Sequence, residues 1–338
     1  MKADHSMKLP LAGIIPPVVT PLRDRDTLDV DGLERLIEHI LSGGVSGLFI
    51  LGTTGEGPSL SYRLRREFIE RVCRQVKHRV PVLVGITDTA FVESVNLARH
   101  AAETGADAVV VAPPYYMPEG QPELLEWLDH LVPELPLPLF LYNMPPLTKV
   151  AFELETVRRA MDQPRIVGLK DSSGDMNYFR DAAALMKQRP DWSLLIGPEG
   201  KLLEALEAGG HGGVNGGGNL FPKLYVNVCA AFRTGDLARA RELQALVQHV
   251  SQSLYRIGRH PSSVIKGIKC ALSCLGICND FLAEPFFPDS SILTGCNPFP
   301  STAAMAAARV SAGIVPLIDL PLADNAVYVK VVMRRVPA

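Results

Sequence analysis

A chain of 338 residues, 47% hydrophobic and 21% charged, has apolar material for one large core or two smaller ones. Its formal net charge of −2 leaves no basic footprint for nucleic acid. No apolar run reaches the length of a membrane span, and the opening "MKADHSMKLPLAG" lacks a signal-peptide core, so a cytoplasmic protein without membrane or nucleic-acid partners is expected.

Short apolar, β-branched runs recur along the chain. The first four are "GIIPPVVT" (13–20), "VSGLFILG" (45–52), "PVLVGIT" (81–87) and "DAVVVAPP" (107–114). Then follow "LPLFLYN" (137–143), "RIVGLK" (165–170), "SLLIG" (193–197) and "GGVNGG" (212–217). Most are continuous rather than alternating, the mark of strands buried on both faces of a parallel sheet. Helical patterns lie between them. "DVDGLERLIEHILSGG" (29–44) has Asp29 as cap, apolar Leu33, Leu36, Ile37, Ile40 and Leu41, then a glycine stop. "VESVNLARHAAETGA" (92–106), "MNYFRDAAALMKQRP" (176–190) and the shorter "EGKLLEALEAGG" (199–210) repeat the pattern.

Eight such runs alternating with helices predict a (β/α)₈ TIM barrel. A doubly wound sheet would need a G-x-G-x-x-G turn, which "GTTGEG" is not. The division predicted is an N-terminal extension (1–9), the barrel (10–222) and further C-terminal helices packed on it (223–285). "DLARARELQALVQHVSQSLYRIG" and "SSVIKGIKCALSCLGIC" supply the last of these. The remainder, 286–338, is an atypical tail rich in proline and alanine, with only "AVYVKVVM" reading as a strand.

In a barrel the site forms at the C-terminal ends of the strands. After the second run, "GTTGEG" places Thr53, Thr54 and Gly55 in a turn whose hydroxyls and amides suit an anion, although a tight capped turn is an equal reading. After the fourth, "PPYYMPEG" holds Tyr115 and Tyr116, which taken alone read as loop packing. After the fifth comes Tyr142, a phenol able to relay protons or to sit as a satisfied buried tyrosine. After the sixth comes Lys170. A lysine in a poorly solvated pocket has its charged form disfavoured and offers a neutral amine for Schiff-base chemistry; a lysine emerging from its strand is the plainer alternative. The six cysteines, without a C-x-x-C pair, read as reduced thiols. Cys270, Cys274 and Cys278 share a helix face and read as core residues rather than zinc ligands, since no histidine completes a site.

"GTTGEG", "PPYYMPEG", "YNMPP" and "GLKDSSGD", in that order, resemble the dihydrodipicolinate synthase/N-acetylneuraminate lyase family over about residues 10–286. The resemblance implies a barrel, usually a homotetramer, that joins or splits pyruvate and an aldehyde through a lysine Schiff base with no cofactor or metal. By position Lys170 matches the imine-forming lysine and Tyr142 the proton-shuttling tyrosine. Thr53 matches the threonine of the proton relay, Thr54 the one that holds the pyruvate carboxylate, and Tyr116 the tyrosine lent by a neighbouring subunit. Gly55, Ser172 and Val214 complete the substrate-facing set.

Two positions bear on the substrate. Dihydrodipicolinate synthases carry an arginine five residues after the catalytic tyrosine, for the carboxylate of the semialdehyde; here Leu147 stands there, as in the lyases. "GPEG" offers Glu199 for sugar hydroxyls but Gly200 where a second acid belongs. The resemblance therefore implies an aldolase of the N-acetylneuraminate or 2-keto-3-deoxy sugar acid type. Dihydrodipicolinate synthase, a deoxy sugar acid dehydratase and a non-catalytic 2-oxo-acid-binding barrel are the alternatives.

Overall fold

A computed structural model describes residues 7–255 and 260–287. Most of the expected tail, including "AVYVKVVM", lies outside the described residues. Eight parallel strands form one sheet: β1 (Gly13–Ile14), β2 (Leu48–Ile50), β3 (Val82–Gly85), β4 (Ala108–Val111), β5 (Leu139–Asn143), β6 (Ile166–Asp171), β7 (Ser193–Ile196) and β8 (Gly212–Gly213). Each falls inside one of the apolar runs, except that β6 runs one residue past its own to include Asp171. From β2 to β8 every strand pairs with its sequence neighbour, and β8 pairs with β1. The circle closes where the Val18 amide donates to the Phe49 carbonyl (2.8 Å) and the Phe49 amide to the Pro16 carbonyl (3.0 Å). The fold is the predicted (β/α)₈ barrel. β1 is shorter than its run because Pro16 and Pro17 have no amide to donate to a ladder.

The helices are α1 (Val30–Ser42), α2 (Tyr62–Val76), α3 (Phe91–Glu103), α4 (Gln121–Glu134), α5 (Pro145–Thr148), α6 (Leu154–Ala160), α7 (Met176–Met186) and α8 (Leu202–Glu207). Then come α9 (Pro222–Arg233), α10 (Leu237–Leu254) and α11 (Ser263–Cys274). Caps follow the sequence chemistry: the Asp29 side chain accepts from the Gly32 amide, Ser61 from Leu64 and Asp236 from Arg239. In α1, Leu33, Leu36, Ile37 and Ile40 form the buried stripe, at the helical spacing that packs one face on the sheet. A small antiparallel hairpin, Leu22–Asp24 with Thr27–Leu28, precedes α1 and has no counterpart among the predicted elements.

Two apolar layers result. One lies between strands and helices. The other fills the barrel with Ile15, Phe49, Leu83, Val110, Phe140, Tyr142, Val167, Leu195 and Val214. Gly168 permits that filling, since a Cβ there would lie 2.6 Å from the Phe140 ring. Cys73, Cys229, Cys270 and Cys278 are buried free thiols, whereas Cys274 is disulfide-bonded, which corrects the expectation of six reduced cysteines.

Candidate active site

The register of β5 against β6 sets Tyr142 beside Lys170 and Asn143 beside Asp171. Because strand side chains alternate, one pair faces the barrel interior and the next faces away. The inward pair is the chemical one. Lys170 is only 5% exposed and Tyr142 6%. The Lys170 Nζ lies 3.7 Å from the centroid of the Tyr142 ring and 4.8 Å from that of Phe49. Burial holds the Lys170 amine below the usual lysine range, partly opposed by Tyr142. Burial alone would raise the Tyr142 phenol. The Lys170 charge, with hydrogen bonding from Thr53, Lys170 and Ser172, overrides it and brings the phenol below its ordinary value. Each group thus sits within the electrostatic reach of the other.

The outward pair braces the first. Asn143 Nδ2 donates to Asp171 Oδ1 (2.9 Å), and Asn143 Oδ1 accepts from the Phe152 amide (3.0 Å). Asp171 also accepts from the Ser173 amide and hydroxyl (3.1 and 3.0 Å). The Asn143–Asp171 bond ties β5 to β6 beside the amine and phenol, while the Phe152 and Ser173 bonds satisfy the remaining polar atoms of this buried edge.

Thr53 joins them from the turn after β2, its hydroxyl 3.2 Å from the Tyr142 hydroxyl. That turn is tightly built. Leu51 and Glu56 both adopt left-handed backbone, with φ of 58° and 57°. The Leu51 carbonyl is approached so closely that a Cβ at Gly57 or Gly85 would lie 2.2 or 2.5 Å from it. Among the described residues, the amides of Thr54 and Gly55 find no acceptor in the protein. Two free amides in a turn are the donor set of an anion nest. The Gly55 carbonyl is held by the Thr20 hydroxyl (2.7 Å).

A cavity of about 160 Å³ opens over this group. Phe49 and Tyr142 line it, so Lys170 lies against two of its walls. Thr53 and Leu147 are also in the lining, as is Tyr115, which alone read as loop packing, together with residues not anticipated: Leu51, Thr87, Ala112, Met144 and Thr148. Their types are ordinary, and only the barrel geometry brings them to one mouth. Among the described residues, no charged side chain lines the wall. Several hydroxyls there are already engaged: Thr87 accepts from the Ala112 amide (2.9 Å), and Thr148 donates to the Met144 and Val150 carbonyls (3.0 and 2.8 Å).

The other predicted residues fall in different places. Ser172 stands at the Tyr142 phenol, its amide bonded to the Asn143 carbonyl (2.8 Å). Val214 is part of the same barrel filling as Tyr142. Tyr116 is 75% exposed, next to the lining residue Tyr115. Glu199 is taken up elsewhere: its carboxylate accepts from the Tyr225 hydroxyl (2.8 Å) and the Gly217 amide (2.9 Å). Burial raises that carboxyl above its usual range, opposed by Gly217, Tyr225 and Tyr255. With these donors supplied by the protein, it faces the C-terminal helices rather than the cavity. Among the described residues no three His, Cys, Asp or Glu side chains gather as a metal set, the spaced cysteines included.

Comparison with known proteins places this geometry in context. The sequence profile described as "Dihydrodipicolinate synthetase family" matches residues 10–291. A curated Escherichia coli protein named "Probable 2-dehydro-3-deoxy-D-pentonate aldolase" is 33% identical over 268 residues, covering 79% of this chain and 88% of that one. The crystallised dihydrodipicolinate synthase of Bacteroides thetaiotaomicron is 56% identical, with a TM-score of 0.81 over 84% of this chain and 95% of its own. An Escherichia coli K12 prophage protein of the dihydrodipicolinic acid synthase family, solved with pyruvate, is 30% identical, with a TM-score of 0.79 over 83% and 94%.

Proposed function

The chain belongs to the dihydrodipicolinate synthetase family, and we propose that it is a class I lyase that makes or breaks a carbon–carbon bond between pyruvate and an uncharged aldehyde. The observation that carries this reading is the side-by-side placement of a desolvated amine and a phenol at the ends of β5 and β6. A binding protein would gain nothing from a buried proton relay.

The chemistry follows from the positions. Neutral Lys170 attacks the 2-oxo carbon, and Tyr142 protonates the carbonyl oxygen. Loss of water from the carbinolamine leaves a protonated imine. In cleavage, a base removes the proton of the C4 hydroxyl, the C3–C4 bond breaks, and its electron pair enters the imine to give an enamine. Tyr142, linked to Thr53, is the group placed to take that proton and return one to C3. The imine itself is the electron sink, so the scheme calls on no metal or cofactor. The free amides of Thr54 and Gly55 would hold the oxo-acid carboxylate. Exposed Tyr116 would be supplied to the site of a neighbouring copy in a homotetramer.

On the aldehyde side, the uncharged wall supports an acceptor without a carboxylate. Leu147, 49% exposed at the rim, stands where a guanidinium would otherwise clamp one. Among uncharged acceptors, short sugar-derived aldehydes are those to which the pentonate aldolase relative points. A substrate panel tests this: cleavage of 2-keto-3-deoxy sugar acids and of N-acetylneuraminate against condensation of pyruvate with aspartate semialdehyde. Robust turnover of the semialdehyde would overturn the use made of Leu147. Leu147→Arg should move the preference toward the semialdehyde by about tenfold or more in kcat/KM, the worth of one charge-assisted pair. An unchanged ratio would place aldehyde selection elsewhere.

A further inference from the structure

Glu56, the acid of "GTTGEG", has no part in that chemistry, yet it is 1% exposed and held in left-handed backbone. Its carboxylate pairs with the ammonium of Lys269, from α11, which is wholly buried. The other carboxylate oxygen accepts from the Ala283 amide (2.8 Å), and Lys269 donates to the Phe281 carbonyl (2.7 Å). The turn after β2 is thereby closed onto the chain that follows α11. That chain is tied down along its length: the Asn279 amide and Nδ2 reach Asp29 (3.1 and 3.0 Å), the Ile277 carbonyl takes Arg35 (2.9 Å), and Glu284 pairs with Arg25 (2.9 Å).

Burying two opposite charges is a poor way to gain stability, because desolvation offsets much of their attraction; what such a pair supplies is a fixed geometry. Here the geometry fixed is that of the candidate anion nest. The Glu56 amide donates to the Thr53 carbonyl (3.1 Å) and the Gly57 amide to the Gly52 carbonyl (3.2 Å), so an anchored Glu56 sets both ends of the Thr53–Thr54 turn. We propose that Glu56 and Lys269 are positioning residues through which α11 and segment 279–284 hold the oxo-acid-binding turn in place. In its kinetic consequence this rests on the Schiff-base reading above.

The informative variant is E56Q/K269M, which removes both charges at nearly constant size and leaves neither buried alone. Lys269→Met by itself strands a buried carboxylate and is the variant at risk of not folding. The double variant should melt cooperatively and still form the borohydride-trapped adduct at saturating pyruvate. Its KM for pyruvate should rise about tenfold or more while kcat stays within about threefold, a split that a merely structural role would not produce. A folded double variant with wild-type KM overturns the proposal. Should wild-type protein trap no pyruvate, the Schiff-base reading fails by itself, and hydrogen exchange decides the clamp. Lost protection at the Glu56 and Gly57 amides in the double variant then supports it, and unchanged protection overturns it.

Discussion

Lys170→Ala should abolish the pyruvate adduct trapped by borohydride and lower turnover by about four orders of magnitude or more, since the proposed scheme loses the imine that is its electron sink. Mass spectrometry of wild type and variant after pyruvate and borohydride treatment is the direct measurement. An adduct that survives the substitution would place the nucleophile elsewhere. Fold loss is not the expected confounder. Among the described residues the amine has no carboxylate partner to strand; it lies against the Phe49 and Tyr142 rings, and its burial disfavours its own charge. The variant should therefore melt close to wild type.

The same burial makes a pH prediction whose sign is fixed. Imine formation needs the neutral amine, and the Lys170 pKa is lowered, so its neutral form is reached at lower pH than in a solvated lysine. The trapping rate should rise with pH, the midpoint of that rise lying below the ordinary lysine value of about 10.4, and fall again once the Tyr142 phenol that protonates the carbonyl oxygen has ionised. A midpoint at or above that value would mean that the amine is solvated in the working enzyme.

How much of this was legible in the sequence follows from the range over which each feature is encoded. Strands buried on both faces appear as continuous apolar runs, so β2 to β7 could be read from a few residues each. Once the strands are counted, their C-terminal ends are known, and that suffices to gather Thr53, Tyr142 and Lys170. It does not give a side chain's rotation. Glu199 follows a strand end just as Lys170 does, but the donors that claim it come from Gly217 and Tyr225, on segments whose packing no local pattern reports. Glu56 is hidden in the same way: its partner Lys269 looks like one polar residue in the stripe of a late helix, and only the closed barrel brings the two together. The Asn143–Asp171 brace is an intermediate case, since both residues adjoin a recognised one, and the strand register alone pairs them.

Tyr142→Phe separates proton transfer from binding. The ring stays to pack on Lys170 and Phe49, and the lost hydroxyl frees only the Thr53 hydroxyl and the bonding from Lys170 and Ser172. Stability and pyruvate KM should therefore change little. Every proton transfer assigned to the phenol is lost, so kcat should fall by about 10²–10³, the usual worth of one placed acid–base group. Trapping should slow and still reach completion, because water can replace the phenol in carbinolamine dehydration less efficiently. Stopped trapping at timed intervals with steady-state kinetics distinguishes the outcomes. A variant with wild-type kcat would remove Tyr142 from the mechanism and leave Lys170 needing another proton carrier, with the neighbouring Ser172 hydroxyl the next group placed to supply it. A raised KM with intact kcat would instead make the phenol a binding group rather than a proton carrier.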